Sequence, residues 1–224
     1  EAFEALRAGE ADRAVAVGHE TPIEPQMILY YHRLGLLASE TLRPFDARHD
    51  GSLFGEGAGA LLLETAASAA ERNALVLGEI LGSGYACEAQ GLTSIRDDGD
   101  GLARAASQAL DGAQLTPADV GMVVAHGNGT PQSDISEAAA IRRVFGAAAP
   151  PTTAFKWALG HTIAAAGILE TALALEALAR GTVPGVANLA FSSATARSHV
   201  ATSWQPAAVA APCTLAITGL GQLI

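Results

Sequence analysis

Short apolar segments alternate along the chain with segments of helical periodicity, and this alternation constrains the fold more than any other feature. The apolar segments lie at 13–20, 60–63, 75–86, 121–127 and 213–221. Each is short enough to be a strand, and helical spacing separates most of them. Strands that are apolar on both faces are typical of a mostly parallel sheet with helices on each side. We therefore predict an α/β fold that carries its chemistry at the carboxyl ends of strands.

Helical periodicity is clearest in four segments, at 1–9, 101–113, 133–145 and 162–181. The last of these begins directly after His161 and ends at Gly181, and a glycine commonly follows the last turn of a helix. Residues 21–42 have no clean period, so the sequence predicts a loop with some helix there.

The composition excludes several classes of partner and location. The net charge of −10 at pH 7 argues against binding to nucleic acid or to anionic membranes. No apolar run reaches the roughly 20 residues that a membrane-spanning helix requires. The cysteines, Cys87 and Cys213, are too few for a disulfide framework. We therefore expect a protein of the reducing cytoplasm.

Two glycine-flanked histidines stand out from this apolar background. His126 lies in AHGNGTPQSD (125–134) after a predicted strand, and His161 lies in KWALGHTIAAAG (156–167) before a predicted helix. The glycines leave each imidazole approachable, and an imidazole N–H can stabilise an oxyanion. Zinc-binding spacings such as HExxH and CxxC are missing, so we predict no metal site. An alternative remains open, in which the loop merely caps the His126 side chain and the histidine has no catalytic role.

Lys156 and Glu170 are a second candidate pair. Each is costly to bury alone in such an apolar stretch, so we predict that they are buried together as an ion pair. The pair either has a purely structural role or helps to hold His161. The glycine cluster GEGAG at 55–59 precedes a predicted strand instead of following one, which argues against a dinucleotide-binding turn.

Three motifs occur in an order that resembles the β-ketoacyl-acyl carrier protein synthases, the condensing enzymes of the thiolase fold. They are RPFDARHDG...GEGAGALLLE at 43–64, AHGNGTPQSDISE at 125–137 and KWALGHTIAAAGILE at 156–170. The resemblance implies a thiolase-like fold of mostly parallel or mixed sheets layered with helices, incomplete because about half of the two-half architecture is present. It further implies that residues 1–66 end the N-terminal half and that residues 75–224 form the C-terminal half.

The same resemblance implies a reaction and its partners. The family catalyses the decarboxylative Claisen condensation of an acyl thioester with malonyl-acyl carrier protein, in fatty acid or polyketide-type synthesis. The phosphopantetheine arm arrives on the carrier protein, so no resident cofactor is expected. The implied partners are an acyl carrier protein and a second subunit, in a homodimer or a synthase/chain-length-factor heterodimer. Two alternatives remain open: a non-catalytic partner subunit like the chain-length factors, and a thiolase that acts on coenzyme A substrates.

The catalytic residues of the family match four positions of this chain. His126 and His161 match the two histidines that donate hydrogen bonds to the thioester oxygen as it gains negative charge. Lys156 matches the family lysine, and Glu170 matches its glutamate partner. The resemblance implies that this pair orients His161 and sets the local electrostatic field.

Further positions match residues that bind substrate or support the site. Thr130 matches a threonine that binds the phosphopantetheine arm, and Asn128 stands where a threonine is usual. Asp134 and Glu137 match acidic residues of a supporting network. Leu220 stands where the family has a phenylalanine that gates the acyl pocket.

Other positions depart from the family pattern. His49 stands where arginine is common, and Ala164 stands where glycine is common. The nucleophilic cysteine of the family lies in a strand-to-helix elbow before a helix like 1–12, and neither Cys87 nor Cys213 has that context. We therefore expect that these 224 residues alone do not form an acyl-enzyme.

Overall fold

The computed structural model describes residues 1–91, 94–191, 200–201, 203, 205–206 and 214–217, of which the last two ranges are described as backbone only. The described helices are α1 Ala2–Arg7, α2 Pro25–Arg33, α3 Ala66–Glu71, α4 Asp100–Ala113, α5 Pro131–Phe145, α6 Lys156–Leu159 and α7 Ala166–Ala179. The described strands are β1 Arg13–Glu20, β2 Gly57–Glu64, β3 Val120–Val124, β4 Thr152–Thr153, β5 Thr182–Val183, β6 Gln205–Pro206 and β7 Thr214–Ile217.

The strands form parallel and antiparallel sheets, so the architecture is mixed α/β. Strand β3 lies between β4 and β7 and is parallel to both. Strands β1 and β2 form an antiparallel ribbon, and β5 pairs antiparallel with β6. The predicted α/β class is therefore confirmed, and parallel pairing is confined to the sheet around β3 among the described strands.

Strand β3 is the centre of the core because helices cover both of its faces. Met122 and Val124 pack in one apolar cluster with Ala174 of α7. Val123, which points to the other face, packs with Ile141 of α5. This two-sided burial is the environment predicted from the unbroken apolar run, and it fixes the loop that follows β3.

The β1–β2 ribbon differs from its prediction as a buried pair of strands. One face packs against α7, where Gly59 leaves room for the side chain of Ile168. The opposite face, formed by Val15, Val17 and Leu62, is 62%, 65% and 52% exposed, respectively. Within the described part of the chain no element covers that face, so the prediction of burial is wrong for it.

The predicted strand at 75–86 is also wrong, since this segment has no strand partner among the described residues. Its glycines bring the backbone against α4 instead, and a Cβ at Gly84 would collide with the carbonyl oxygen of Ala105. Leu75 and Leu77 remain exposed. An apolar run becomes a strand only where a neighbouring strand accepts and donates its backbone hydrogen bonds.

The predicted helices are confirmed with shifted ends. Helix α7 begins at Ala166, and a 3₁₀ turn at Ile163–Ala165 separates it from His161. Helix α2 occupies part of the segment that had no clean period. None of the helices that the structure describes is both long and apolar enough to cross a membrane. Of the predicted last strand, only β7 is described; Cys213 and Leu220 lie outside the described residues.

Candidate active site

His126 lies in the loop between β3 and α5, and a carboxylate of α5 fixes that loop. The backbone N–H of His126 donates to Glu137 Oε1 at 2.7 Å, and that of Gly127 donates to Glu137 Oε2 at 2.9 Å. Both His126 and Glu137 are buried. The turn after β3 is therefore held by two hydrogen bonds to one charged side chain, the stronger kind of backbone anchor.

The rest of this loop is held by two further side chains. The Gly129 N–H donates to Asp134 Oδ1 at 3.2 Å. Asn128 Oδ1 accepts from the Thr130 N–H at 3.0 Å and from the Thr130 hydroxyl at 2.8 Å. This local turn is typical of asparagine. Because the Thr130 hydroxyl donates to Asn128, its oxygen can only accept a further hydrogen bond, and the Asn128 amide nitrogen can only donate one.

His161 is positioned by backbone pairing with the segment at 53–55. Its N–H donates to the Leu53 carbonyl at 2.7 Å, and its carbonyl accepts from the Gly55 N–H at 3.1 Å. The preceding residue, Gly160, has a φ of 73°, and a Cβ there would lie 2.6 Å from Gly55 N. Glycine at this position is thus required both by the left-handed backbone and by the close approach of the two segments.

The two histidine rings lie edge to face, with their centroids 5.2 Å apart and their planes at 86°. The Ile163 N–H donates to Nδ1 of His161 at 3.3 Å. Because Nδ1 accepts that bond, the neutral ring carries its proton on Nε2. His161 is therefore prepared to donate a hydrogen bond from Nε2.

Lys156 and Glu170 form the predicted buried ion pair, with Lys156 Nζ 2.5 Å from Glu170 Oε1. The same Nζ donates to the carbonyl oxygen of His126 at 2.8 Å. The lysine thus contacts the backbone of the His126 loop directly. Its effect on His161 is exerted through space.

The environment keeps both imidazoles neutral. Burial lowers the pKa of His126 well below its usual range, and the charge of Lys156 and the nearby His161 lower it further. Burial also lowers the pKa of His161, to about 3, with Lys156 as the second cause. Burial raises the pKa of Glu170, and Lys156 opposes that shift. Neutral pH therefore leaves two uncharged N–H donors beside a buried ammonium group.

The segment 43–50 contributes contacts that the sequence did not reveal. The Phe45 N–H donates to Asp134 Oδ2 at 2.7 Å, and His49 Nδ1 lies 2.9 Å from the same oxygen. Asp46 accepts from the backbone N–H of Phe191 at 2.9 Å. Burial raises the pKa of Asp46, but the hydrogen bonds it accepts lower that pKa to about 2. The sequence signal was the run of polar residues in DARHD, of which Asp46 is buried and His49 is partly buried.

The structure therefore brings most of the predicted site residues into one connected arrangement around the loop after β3. These residues are His126, His161, Lys156, Glu170, Asn128, Thr130, Asp134 and Glu137. Leu220 lies outside the described residues. Within the described ranges, no three His, Cys, Asp or Glu side chains are grouped so that they could hold a metal ion.

Two family models match the chain in sequence order. The model for the beta-ketoacyl synthase N-terminal domain matches residues 1–69, and the model for the C-terminal domain of the same enzymes matches residues 77–190. The 3-oxoacyl-[acyl-carrier-protein] synthase 2 of Mycobacterium bovis is 34% identical over 195 residues, which cover 84% of this chain and 47% of that protein.

Solved structures of synthases have the same fold as this chain. One is a type II polyketide synthase acyl carrier protein in complex with its ketosynthase, bound to the hexaketide. The match has a TM-score of 0.87 and 30% sequence identity, and it covers 92% of this chain and 53% of that chain. Another is the ishigamide ketosynthase/chain length factor, with a TM-score of 0.86, 33% identity and coverage of 92% and 51%. These matches confirm the expected thiolase-like fold.

The chain spans about half the length of the relatives it matches, as the 47% and 53% coverage show. Both family models nevertheless match in order, and the C-terminal match alone includes half of the chain. This chain belongs to the β-ketoacyl synthase family.

Proposed function

We propose that this chain supplies the oxyanion-binding part of a site that condenses an acyl thioester with malonyl-acyl carrier protein. The observation that carries the proposal is the pair of imidazole rings, 5.2 Å apart and edge to face. His161 carries its proton on Nε2, because Nδ1 accepts from the Ile163 N–H. Two neutral imidazole rings this close to each other can each offer an N–H donor to a thioester oxygen that gains negative charge.

The proposed reaction needs these donors at the moment when charge develops. When the malonyl thioester loses carbon dioxide, the electrons of the breaking C–C bond move onto the thioester oxygen and form an enolate. The enolate carbon then attacks the carbonyl carbon of the acyl thioester, and the tetrahedral intermediate expels a thiolate. Removing one such hydrogen-bond donor typically costs about 10²–10³ in rate.

Lys156 and Glu170 have a supporting role in this proposal. The ammonium group of Lys156 holds the His126 carbonyl and lowers the pKa of both imidazoles. An imidazole with an ordinary pKa changes its charge near neutral pH. With a lowered pKa it stays neutral and donates a hydrogen bond without giving up its proton. Glu170 neutralises the ammonium group, so the buried pair adds a dipole instead of a net charge.

The loop that carries Asn128 and Thr130 is proposed to bind the phosphopantetheine arm. One amide donor and one hydroxyl acceptor are complementary to the amide groups of that arm. The partner we propose is an acyl carrier protein, supported by the carrier protein in complex with a structurally similar ketosynthase. A second subunit, in a homodimer or a heterodimer, and a cytoplasmic location belong to the same proposal. The exposed free thiol of Cys87 is compatible with a reducing compartment.

The test is the decarboxylation of malonyl carrier protein, because this half-reaction uses the oxyanion donors before any acyl transfer. The chain is expressed with whatever native sequence flanks it in its gene. Carbon dioxide and acetyl carrier protein are quantified for the wild type and for the His126→Ala and His161→Ala variants. We expect each variant to lose about 10²-fold or more of the rate.

The matched control is His19→Ala, which removes an exposed histidine of β1 and should leave the rate unchanged. The proposal is overturned if both active-site variants decarboxylate at the wild-type rate. A wild type that shows no decarboxylation at all supports a non-catalytic partner subunit instead.

A further inference from the structure

One buried carboxylate joins two parts of the chain that are far apart in sequence. Asp134 Oδ2 accepts the Phe45 N–H at 2.7 Å and lies 2.9 Å from His49 Nδ1. Asp134 Oδ1 accepts the Gly129 N–H at 3.2 Å. The side chains of Asp134 and His49 are only 1% and 10% exposed. The segment that carries His49 is therefore tied to the loop that carries His126 through this side chain, in addition to the backbone bond from the Gly51 N–H to the Gly129 carbonyl at 3.0 Å.

Phe45 adopts a backbone conformation that requires such an anchor. Its φ is 59°, in the left-handed region that bulky residues rarely occupy, and the residue is fully buried. Its ring packs in one buried cluster with Ala125 and lies so near the His126 loop that a Cβ added at Gly127 would be 3.2 Å from Phe45 Cε2. A change in the Phe45 turn would thus be transmitted to Gly127, the residue next to His126.

We propose that His49 is a positioning residue of the active site, acting through Asp134 and Phe45 on the loop that carries His126. The His49 ring shares Asp134 Oδ2 with the Phe45 N–H and keeps that oxygen directed at both donors. The catalytic consequence rests on the function proposed above, whereas the structural consequence for the His126 loop does not.

Burial of Asp134 favours its neutral form and raises its pKa, whereas the hydrogen bonds from His49, Phe45 and Gly129 oppose that shift. The His49 bond is thus one of the contacts that offset the burial of this carboxyl group.

The experiment compares His49→Ala with His49→Asn. The asparagine amide nitrogen occupies the place of Nδ1, so it can donate to Asp134. One readout is the NMR ring resonances of His126, which require no activity. The other is the rate of malonyl carrier protein decarboxylation at neutral pH. His32→Asn, at an exposed histidine of α2, is the matched control.

We expect His49→Ala to shift the His126 resonances and to lower the decarboxylation rate about tenfold to a hundredfold, as small displacements of catalytic groups do. His49→Asn should restore both. His32→Asn should match the wild type. Rescue by asparagine, which keeps a donor to Asp134, separates positioning from a general loss of stability.

The inference is overturned if His49→Ala leaves the His126 resonances unchanged, or if His49→Asn shifts them although it keeps a donor to Asp134. If His49→Ala does not fold, the His49→Asn comparison decides alone. If the wild type shows no decarboxylation, the proposed function fails, and the His126 resonances still decide whether His49 positions the loop.

Discussion

At the scale of single residues, the site depends on imidazole rings that stay neutral beside a buried ammonium group. The charge of Lys156 lowers the pKa of both rings and so opposes their protonation. Burial acts in the same direction, because it disfavours the charged form of histidine. The rings therefore act as fixed donors, which is the state that suits stabilisation of an oxyanion.

This arrangement predicts the ionisation and the tautomer of His161. Its pKa of about 3 lies below the value near 6.5 of an unfolded histidine. The ring should thus be neutral in the folded chain at about pH 5, with the proton on Nε2. Its contribution to stability is complete above about pH 6.5 and is lost as the pH falls towards 3.

The measurement is ¹⁵N NMR of the histidine rings, with the His161→Asn variant to assign the signal. A shift typical of an unprotonated Nδ1 and a protonated Nε2 should persist at about pH 5. A ring that titrates near the ordinary histidine pKa would contradict both the burial and the Lys156 effect.

The ion pair of Lys156 and Glu170 predicts an asymmetric response to mutation. Lys156→Met or Glu170→Gln leaves an unpaired buried partner, so each should lower the free energy of unfolding by about 3–5 kcal/mol. The double variant Lys156→Met/Glu170→Met should lose much less than the sum, because it removes both desolvated charges. Urea denaturation gives these values.

The control for the ion pair is the exposed pair of Glu176 and Arg180. Glu176 lies in α7, and Arg180 directly follows the last residue of that helix. Replacing either partner there should change stability far less, since water and salt screen an exposed pair. Equal losses at the buried and exposed pairs would show that Lys156 and Glu170 are not a desolvated pair in solution.

At the scale of structural elements, sequence predicts the burial of a segment better than its strand partners. The β3 run is covered by α5, the next helix of the chain, and pairs with the distant strands β4 and β7. The 75–86 run has similar composition but no strand partner among the described residues, and its glycines place it against α4. An apolar pattern predicts that a segment packs against other parts of the chain, but it does not identify the segment that shares its backbone hydrogen bonds.

The same limit applies to the site. The histidines were predictable because each has neighbouring glycines in a short motif. The ion pair was predictable because both of its residues lie in an apolar stretch of sequence. The bonds from Phe45 and His49 to Asp134 were not, since they join residues 89 and 85 positions apart. Nor does the sequence show that Lys156 bonds the carbonyl of His126, 30 positions away. The motifs thus predict the residues that could carry the chemistry. The hydrogen bonds that hold those residues in place depend on the fold and are not predicted by the motifs.

The backbone pairing at His161 predicts a severe effect of Gly160→Ala. The methyl group would lie 2.6 Å from Gly55 N at a residue with φ of 73°. It should displace the segment 53–55 from His161, lower stability and reduce decarboxylation. Gly9→Ala is the control, because Gly9 has a φ of 72° with nothing within 4 Å of the added Cβ.

The difference in unfolding free energy between the two glycine variants separates the cost of the close contact from the cost of the left-handed backbone conformation. Gly9→Ala should cost only about 1 kcal/mol for the left-handed residue, and Gly160→Ala should cost clearly more. Thermal or urea unfolding measures both. Equal costs would show that the close approach of Gly160 and Gly55 is not a constraint on the site.

At the scale of the whole molecule, the β1–β2 ribbon joins the beginning of the chain to its later part. Gly18 and Gly59 bring the ribbon against Ile168 of α7, the helix that also carries Glu170. Residues from both predicted domains, 1–66 and 75–224, thus contribute to one packed unit around the site. The position of the boundary between those domains stays a prediction.

The outer face of that ribbon predicts how the 224-residue chain behaves on its own. Val15 and Leu62 lie opposite each other in the antiparallel register, and Val17 extends the same face. All three are more than half exposed, which is unusual for β-branched and large aliphatic residues at adjacent positions of a strand pair. Burying such a face against another molecule removes apolar surface from water. We therefore expect self-association that increases with concentration, measured by sedimentation velocity.

The double variant Val15→Thr/Val17→Thr tests this assignment because threonine keeps the β-branched shape while adding a hydroxyl. It should shift the association to higher concentration without unfolding the ribbon, whose inner face and hydrogen bonds are unchanged. Val76→Thr is the matched control, at a valine that is also 62% exposed but lies outside the ribbon. If Val76→Thr weakens association as much as the double variant does, general surface hydrophobicity and not the ribbon drives it. A chain that stays monomeric at all concentrations would show that the exposed face alone is insufficient for association.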